Sequence, residues 1–441
     1  MSGTTAGRRF ALIGAGARAE MFVRAITAEP ADTAQLVALS DVNQRRMDAH
    51  NRWLAAAGHS PVPTYPAADL AELLAREQVD VLVVTSVDNT HAGHIVTALE
   101  AGCDVITEKP MTVDADSCRR ILDAVERTGR RVSVAFNYRY NPLHEAVRKL
   151  LAGGEIGEIG SVHFEWLLDV RHGADYFRRW HRDKSRSGGL LVHKSGHHFD
   201  LVNWWLGGAP VEAYASGRLF FYGEAGVRHG YARDYRRAHD SPAAAGDPFA
   251  LRMAGNPRLQ ALYLDAEAED GYHRDLNVFA PGVSIEDDMA VLVRYDTGAT
   301  MTYHLTAYAP WEGYRLMVNG SRGRLELEVV ENDHVSPGEA GELKGAAIHG
   351  AAGSPERGRA TLTVRPLWAP PREVALPPYD GEGHGGADAR MTAVLLGTAT
   401  DPMNRSATAR DGALALLTGL AANRSLQTGA SVRVADLLDL N

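Results

Sequence analysis

Two glycines near the start of the chain have the spacing of a phosphate-binding turn. Gly14 and Gly16 end an apolar run, and Ala19 follows three residues later. In this pattern the first glycine makes a tight turn, the second lets the backbone approach a pyrophosphate, and the small third residue lets a helix pack on the strand. The helix start at Ala17 and Arg18 would direct backbone N–H groups towards the phosphates. The segment therefore predicts dinucleotide binding.

An acidic residue follows where such a site needs one. Asp41 ends the apolar residues 36–40, about 20 residues after the turn, where a carboxylate accepts hydrogen bonds from the adenosine ribose. Alternatively, Asp41 caps a helix beginning near Val42. An acid here disfavours a 2′-phosphate, so we predict NAD. NADP stays possible, because Arg45 and Arg46 are placed to clamp a phosphate.

Lys109 is a candidate catalytic residue. It precedes Pro110, which restricts the lysine backbone to extended conformations. A lysine beside a hydride acceptor can donate to a substrate hydroxyl or, with a lowered pKa, help remove its proton. The alternative is a solvated lysine at a loop corner, the commonest fate of lysine. The Glu108-Lys109-Pro110 context favours catalysis.

A second chemical centre contains two histidines four residues apart. His193, His197 and Asp200 have a spacing that puts them on one helical face. A histidine there can exchange a proton with a substrate hydroxyl. The two histidines also have the spacing of a helical zinc pair, but Lys194 stands where a metalloprotease has its glutamate and would repel a cation. We therefore predict no metal.

The elements that must position these residues alternate between strand and helix in the first part of the chain. Residues 79–85 and 105–107 read as buried strands, and residues 92–101 as a helix. Ligands of an open parallel sheet bind beyond the carboxyl ends of its strands. We therefore expect the cofactor to be contacted by Gly14, Gly16, Ala17, Arg18, Ala19, Asp41, Ser86, Asn89, His91, Glu108, Lys109 and Asn137.

The second part of the chain reads differently. Residues 161–167, 289–295, 300–307 and 314–319 alternate like strands and are partly joined by short turns, which implies an antiparallel sheet. Such a sheet often has one open face, which a second subunit commonly covers. We therefore expect a homodimer or homotetramer.

Length and composition agree with a two-domain enzyme. The 441 residues exceed what one core usually serves, and the net charge of −9 argues against binding to nucleic acid or to an anionic membrane. Two cysteines imply no disulfide framework, and no segment is long enough to span a membrane. We expect a cytoplasmic enzyme whose partner is a small-molecule substrate.

Four motifs carry a resemblance to a known family. Gly14-Ala15-Gly16, Glu108-Lys109-Pro110, residues 137–142 and the Gly188-Gly189…His193…His197…Asp200 series resemble the Gfo/Idh/MocA family of nicotinamide-dependent oxidoreductases, which includes inositol dehydrogenases. The resemblance implies an α/β chain: a Rossmann domain, placed at residues 1–140, and an α/β domain with a large, mostly antiparallel, open-faced sheet, placed at residues 141–441. It also implies hydride transfer at a sugar or polyol hydroxyl, with Lys109 and His197 near the nicotinamide.

The chain departs from the family at one position. Common members have an aspartate four residues before the histidine that matches His197, and here His193 occupies that place. A second imidazole can still act as an acid or base, so we expect Lys109, His193 and His197 to be catalytic. The residues expected to bind substrate are Lys109, Arg139, Trp180, His193, Lys194, His197 and His384.

Three further segments have an open interpretation. Residues 171–186, rich in arginine and aromatic residues, suit either contact with a sugar or an anion, or a solvated loop or oligomer contact. The insertion at 217–284 suits a lid or an interface arm, and residues 331–359 read as a long mobile loop.

Three functions fit these features. The first is an NAD-dependent dehydrogenase of a sugar, sugar acid or cyclitol. The second is a redox-assisted glycosidase, lyase or epimerase that retains its NAD. The third is an NAD-binding sugar sensor without turnover, against which the presence of both Lys109 and His197 argues.

Overall fold

The computed structural model describes residues 7–335, 358–376 and 386–440. They form two compact units. The first comprises the chain up to Phe136 together with Arg252–Arg274 and Asp388–Ala413, and the second comprises the remainder. The division differs from the predicted one because the first unit ends at Phe136 and includes two segments from later in the chain.

The strands are β1 (Arg8–Ile13), β2 (Ala34–Asp41), β3 (Thr64–Pro66), β4 (Val81–Val84), β5 (Asp104–Thr107), β6 (Val132–Val134), β7 (Ile159–Asp169), β8 (Pro210–Arg218), β9 (Asp288–Tyr295), β10 (Thr300–Ala309), β11 (Glu312–Gly320), β12 (Gly323–Asn332), β13 (Arg359–Pro366), β14 (Arg372–Glu373), β15 (Ala407–Thr408) and β16 (Val432–Arg433). The helices are α1 (Ala19–Ala28), α2 (Gln44–Ala56), α3 (Leu70–Arg76), α4 (His91–Glu100), α5 (Ala115–Thr128), α6 (Pro142–Ala152), α7 (Val170–Phe177), α8 (Lys184–Ser187), α9 (Leu190–His193), α10 (Ser195–Leu206), α11 (Pro257–Leu259), α12 (Glu267–Asp270), α13 (Ala387–Leu396) and α14 (Ala409–Thr428).

The first unit is a doubly wound sheet with the strand order β15-β6-β5-β4-β1-β2-β3. All pairs are parallel except β15 with β6. All four residues of β4 are buried, as expected of a parallel strand covered on both faces. The carboxyl ends of β1, β2, β4 and β5 therefore meet at one edge, and the predicted Rossmann fold is confirmed.

The second unit is built on a nine-stranded sheet with the order β14-β13-β12-β11-β7-β10-β9-β8-β16. Its one parallel pair among the described strands is β10 with β7. Burial alternates strictly along β9 and β10, so one face packs on the core and the other is open. The predicted large, mostly antiparallel sheet is confirmed. In the described part of the chain, every helix is too short or too polar to cross a membrane.

Candidate functional site

The glycine turn between β1 and α1 has the geometry that a dinucleotide phosphate requires. Gly14 has a φ of 97°, and a Cβ there would lie 2.4 Å from the backbone nitrogen of Ser86, so no larger residue fits. A Cβ at Gly16 would meet no atom within 4 Å, which leaves the backbone open to a ligand. Ala19 is fully buried where α1 begins. The turn fits a pyrophosphate above Gly16.

Asp41 lies at the end of β2 beside this turn. Its carboxylate accepts hydrogen bonds from the backbone N–H groups of Ala15 at 2.6 Å and Asn43 at 2.9 Å. Burial raises its pKa above the ordinary value, while Arg46 opposes that shift. The cap of α2 is Asn43, whose side chain accepts from the N–H of Arg46. Asp41 is therefore fixed next to the glycine turn, as a ribose-binding acid would be.

Arg18 and Glu108, both predicted cofactor contacts, form an ion pair in the first unit. Arg18 Nε lies 2.5 Å from Glu108 Oε1, and its two Nη atoms donate to the Asp388 carboxylate at 3.1 and 3.2 Å. Glu108 also accepts from the backbone N–H of the half-buried Lys109 at 3.2 Å. The pair thus connects the start of α1 with the Lys109 loop and orients that loop at the sheet edge.

The loop after β4 contains the other predicted contacts of the first unit. Ser86 Oγ lies 2.7 Å from Thr90 Oγ1, and Asn89 is exposed. His91 is different, because its ring is fully buried. Its Nδ1 lies 2.9 Å from the Pro110 carbonyl and its Nε2 3.1 Å from the Ser86 carbonyl, and burial lowers its pKa. His91 thus links the loops after β4 and β5, and its contact with a cofactor stays a prediction.

In the second unit the helical segment that contains the two predicted histidines is interrupted. α9 ends at His193 and α10 begins at Ser195. The His193 ring lies 4.2 Å from that of His181, 5.7 Å from that of Tyr176 and 6.0 Å from that of Trp180, measured between centroids. The half-buried Trp180 stacks on His181 at 3.5 Å. The region 171–186 thus surrounds His193 with aromatic rings.

Lys194 and His197 meet at Tyr138, which sequence reasoning did not single out. The Lys194 ammonium donates to the Tyr138 hydroxyl at 2.8 Å, and the His197 ring stacks on the Tyr138 ring at 4.3 Å. Lys194 also lies over the Trp166 ring at 5.0 Å. Burial lowers the pKa of Lys194 to about 8. Tyr138 therefore contacts two side chains that can exchange protons, the Lys194 amine and the His197 imidazole.

Arg139 and Asn137, two other predicted site residues, are buried in the second unit. Arg139 donates through Nε and Nη2 to both carboxylate oxygens of Asp200, at 2.8 and 2.6 Å, and is 2% exposed. The guanidinium thus joins the 3₁₀ turn Asn137–Tyr140 to α10, and its contact with a substrate stays a prediction. Asn137 lies in the second unit rather than in the dinucleotide unit. His384 lies outside the described residues, as does most of the predicted loop 331–359.

A carboxylate, an imidazole and a hydroxyl form a chain that sequence reasoning also missed. Glu312 Oε1 lies 2.7 Å from His172 Nδ1, and His172 Nε2 lies 3.3 Å from the Tyr176 hydroxyl. Glu312 is fully buried, and its backbone N–H donates to Asn332 at 2.6 Å. The carboxylate favours the Nδ1–H tautomer, which leaves Nε2 to accept the Tyr176 proton. Glu312 and His172 are 140 residues apart in the sequence, so no local motif predicts that they interact.

Comparison with known proteins agrees with this architecture. Residues 8–136 match the NAD-binding Rossmann domain of an oxidoreductase family, and residues 148–434 match the C-terminal α/β domain of the same family. The putative oxidoreductase YteT of Bacillus subtilis is 33% identical over 401 residues, which cover 87% of each chain. An inositol 2-dehydrogenase of Rhizobium meliloti is 32% identical over 208 residues, covering 47% of this chain and 58% of the relative.

Two solved structures share the fold. The aldose-aldose oxidoreductase of Caulobacter crescentus, complexed with glycerol, aligns with a TM-score of 0.61 at 15% identity, over 97% of this chain and 99% of the other. The WlbA dehydrogenase of Bordetella pertussis, in complex with NADH and UDP-GlcNAcA, aligns with a TM-score of 0.61 at 19% identity, over 99% of this chain and 100% of the other.

Proposed function

Because the chain belongs to the Gfo/Idh/MocA oxidoreductase family, we propose that it transfers hydride reversibly between NAD and a hydroxyl of a sugar, sugar acid or cyclitol. The observation that carries the proposal is the open backbone above Gly16 beside the fixed carboxylate of Asp41. The substrate class is supported by relatives described as inositol 2-dehydrogenases and by the shared fold of an aldose-aldose oxidoreductase.

The first unit would hold the dinucleotide through residues that serve distinct parts of it. The Gly16 N–H group suits the pyrophosphate, and the Asp41 carboxylate suits the ribose hydroxyls. When bound, the nicotinamide supplies the hydride acceptor. Lys109, on the loop that Glu108 orients, would donate to the substrate hydroxyl and share its proton as the C–H bond breaks.

The second unit contains acid–base groups suited to a hydroxyl substrate. His197 would accept the hydroxyl proton. The Tyr138 ring stacks on His197 and its hydroxyl accepts a hydrogen bond from Lys194, whose pKa of about 8 lets the amine exchange protons near neutral pH.

A redox-assisted elimination or epimerisation with retained NAD is a second candidate. A specific observation favours it: the Glu312–His172–Tyr176 chain beside His193 adds a second proton carrier. Oxidation of a hydroxyl to a ketone acidifies the neighbouring C–H bond, and Tyr176 would take that proton while passing its own to His172. In an elimination, the leaving group would depart from the next carbon as the C–H electron pair forms the double bond, and it would take its proton from His172 through Tyr176. In an epimerisation, the proton would return to the other face of the same carbon. In both reactions hydride then returns to the ketone.

One experiment tests the function and separates the candidates. The purified full-length protein is mixed with a carbohydrate panel, with and without added NAD, in deuterated water. Net formation of NADH supports the dehydrogenase, and product with carbon-bound deuterium in the absence of added NAD supports the second candidate. The Lys109→Ala variant should lose at least about a hundredfold in turnover and still bind NADH, since general acid–base groups contribute that much. Failure to bind NADH, or inactivity across the panel, would contradict the proposal.

A further inference from the structure

Segment Arg252–Arg274 contacts the dinucleotide turn of the first unit. The Tyr263 hydroxyl accepts a hydrogen bond from the Ala17 N–H at 3.3 Å, and Arg258 donates to the Ala17 carbonyl at 3.1 Å. Arg258 also forms an ion pair with Glu20, with Nε 2.6 Å from Oε2. The segment therefore lies against the N-terminus of α1, where the pyrophosphate would bind.

The same segment also contacts the start of α2, next to Asp41. The Asn43 side-chain amide donates to the Ala266 carbonyl at 2.9 Å, and Arg46 Nε donates to the Leu262 carbonyl at 3.0 Å. Thus one stretch of chain is hydrogen-bonded to both elements by which the fold recognises a dinucleotide. It forms part of that site although it lies more than two hundred residues away in the sequence, as the 223-residue separation of Asn43 from Ala266 shows.

The charges on this segment pair with the two arginines that could otherwise bind a phosphate. Arg46 Nη2 lies 2.7 Å from the Asp270 carboxylate, and its Nη1 lies 3.5 Å from that of Asp41. Arg45 Nε lies 3.4 Å from the Glu269 carboxylate. The Arg46 side chain is 9% exposed, so its pair is shielded from water, whereas the Arg45 side chain is 57% exposed and its pair is weaker.

We propose that Asp270, assisted by Glu269, determines the preference of this protein for NAD over NADP by occupying Arg46 and Arg45. The inference rests on the proposed dinucleotide-dependent function. A 2′-phosphate carries up to about two negative charges and needs an unpaired guanidinium. Here it would meet three carboxylates against two arginines, whereas the 2′-hydroxyl of NAD needs only the acceptor oxygens of Asp41.

The test measures the dissociation constants of NADH and NADPH on full-length protein by fluorescence titration. In Asp270→Asn with Glu269→Gln, the local charge changes from −1 to +1, while the side-chain shapes are kept. We expect NADPH affinity to rise by about tenfold or more, the scale of one charge-assisted contact, with NADH affinity changed less than about threefold. Adding Asp41→Ser to the double variant should raise NADPH affinity further. The resulting triple variant should bind NADPH more tightly than Asp41→Ser alone.

Two variants control for loss of folding and for a general charge effect. Asp270→Glu keeps the charge and should keep the NADH preference. Glu100→Gln removes the partner of Arg127 on the exposed side of α4, where the pair distance is 2.6 Å, and should leave both constants unchanged. An unchanged NADH-to-NADPH ratio in the double variant would overturn the inference, as would a wild-type protein that binds NADPH as tightly as NADH. Binding of neither dinucleotide by wild-type protein would instead refute the proposed function.

Discussion

Lys194 provides a direct test of the buried cluster in the second unit. Its side chain is 4% exposed, its ammonium donates to the Tyr138 hydroxyl at 2.8 Å, and burial lowers its pKa from 10.5 to about 8. Folding therefore favours the neutral amine. Between these two pKa values the unfolded chain binds more protons than the folded one, so the free energy of unfolding must rise with pH.

The size of the rise follows from the two pKa values. At pH 7 the lysine is charged in both states, and at pH 10 it is neutral in the folded protein and mostly charged in the unfolded chain. Raising the pH from 7 to 10 should therefore increase the free energy of unfolding by about 2.5 kcal/mol. The full difference between a pKa of 10.5 and one of about 8, at about 1.4 kcal/mol per pH unit, would give more, but pH 10 lies below the pKa of the unfolded chain.

The assay compares wild-type protein with Lys194→Met by urea unfolding, followed through tryptophan fluorescence, at several pH values from 7 to 10. Subtracting the two curves removes the contribution of every other titrating group, so the difference should grow by about 2.5 kcal/mol in favour of wild type as the pH rises. Lys149→Met, at an exposed position of α6, should run parallel to wild type. Parallel curves for Lys194→Met would show that Lys194 keeps an ordinary pKa and would remove the reason for assigning it proton exchange.

Three shorter predictions concern the turn and the second unit. Gly14→Ala should destabilise the protein in thermal unfolding, since its Cβ would clash with backbone, whereas Gly16→Ala should fold normally and weaken NADH binding by about tenfold or more in calorimetric titration. Asp200→Asn should cost about 3–5 kcal/mol in urea unfolding, because it leaves the guanidinium of Arg139 buried without its carboxylate. For the elimination or epimerisation reaction, Tyr176→Phe should leave NADH affinity unchanged and lower turnover at least about tenfold, and full activity would exclude Tyr176 from proton transfer.

The fold was largely predictable, because most of its signals are local. The strand, turn and helix at β1 and α1 follow from an apolar run, the glycine spacing and the small residue Ala19, and the structure has all three elements, with Ala19 buried. The alternation that predicted the antiparallel sheet recurs in the burial of β9 and β10. The return of Arg252–Arg274 to the first unit was not predicted, because its contacts with Asn43 and Arg46 are made far along the chain and have no periodic signature.

The site was predictable in residue type but less so in role. His91 was predicted to bind a ligand from its place at the sheet edge, and Arg139 from its motif, but the sequence did not show that both side chains are buried and bonded within the protein. Spacing placed His193 and His197 on one face, yet each ring has its own neighbours, Tyr176 for one and Tyr138 for the other. Side-chain direction in a broken helix depends on tertiary packing, and a sequence pattern does not contain it.

The second unit contains a buried carboxylate, Glu312, close to two groups that can carry protons. Glu312, at the start of β11, bonds His172 and also raises the pKa of Lys194, against the stronger effect of burial. The buried Glu312 carboxylate thus acts on both His172 and Lys194. If this is its role, Glu312→Gln should lower the pKa of Lys194 further and shift the rise in unfolding free energy to lower pH. An unshifted rise would mean that the carboxylate only accepts hydrogen bonds from the Asp169 N–H at the end of β7 and from His172.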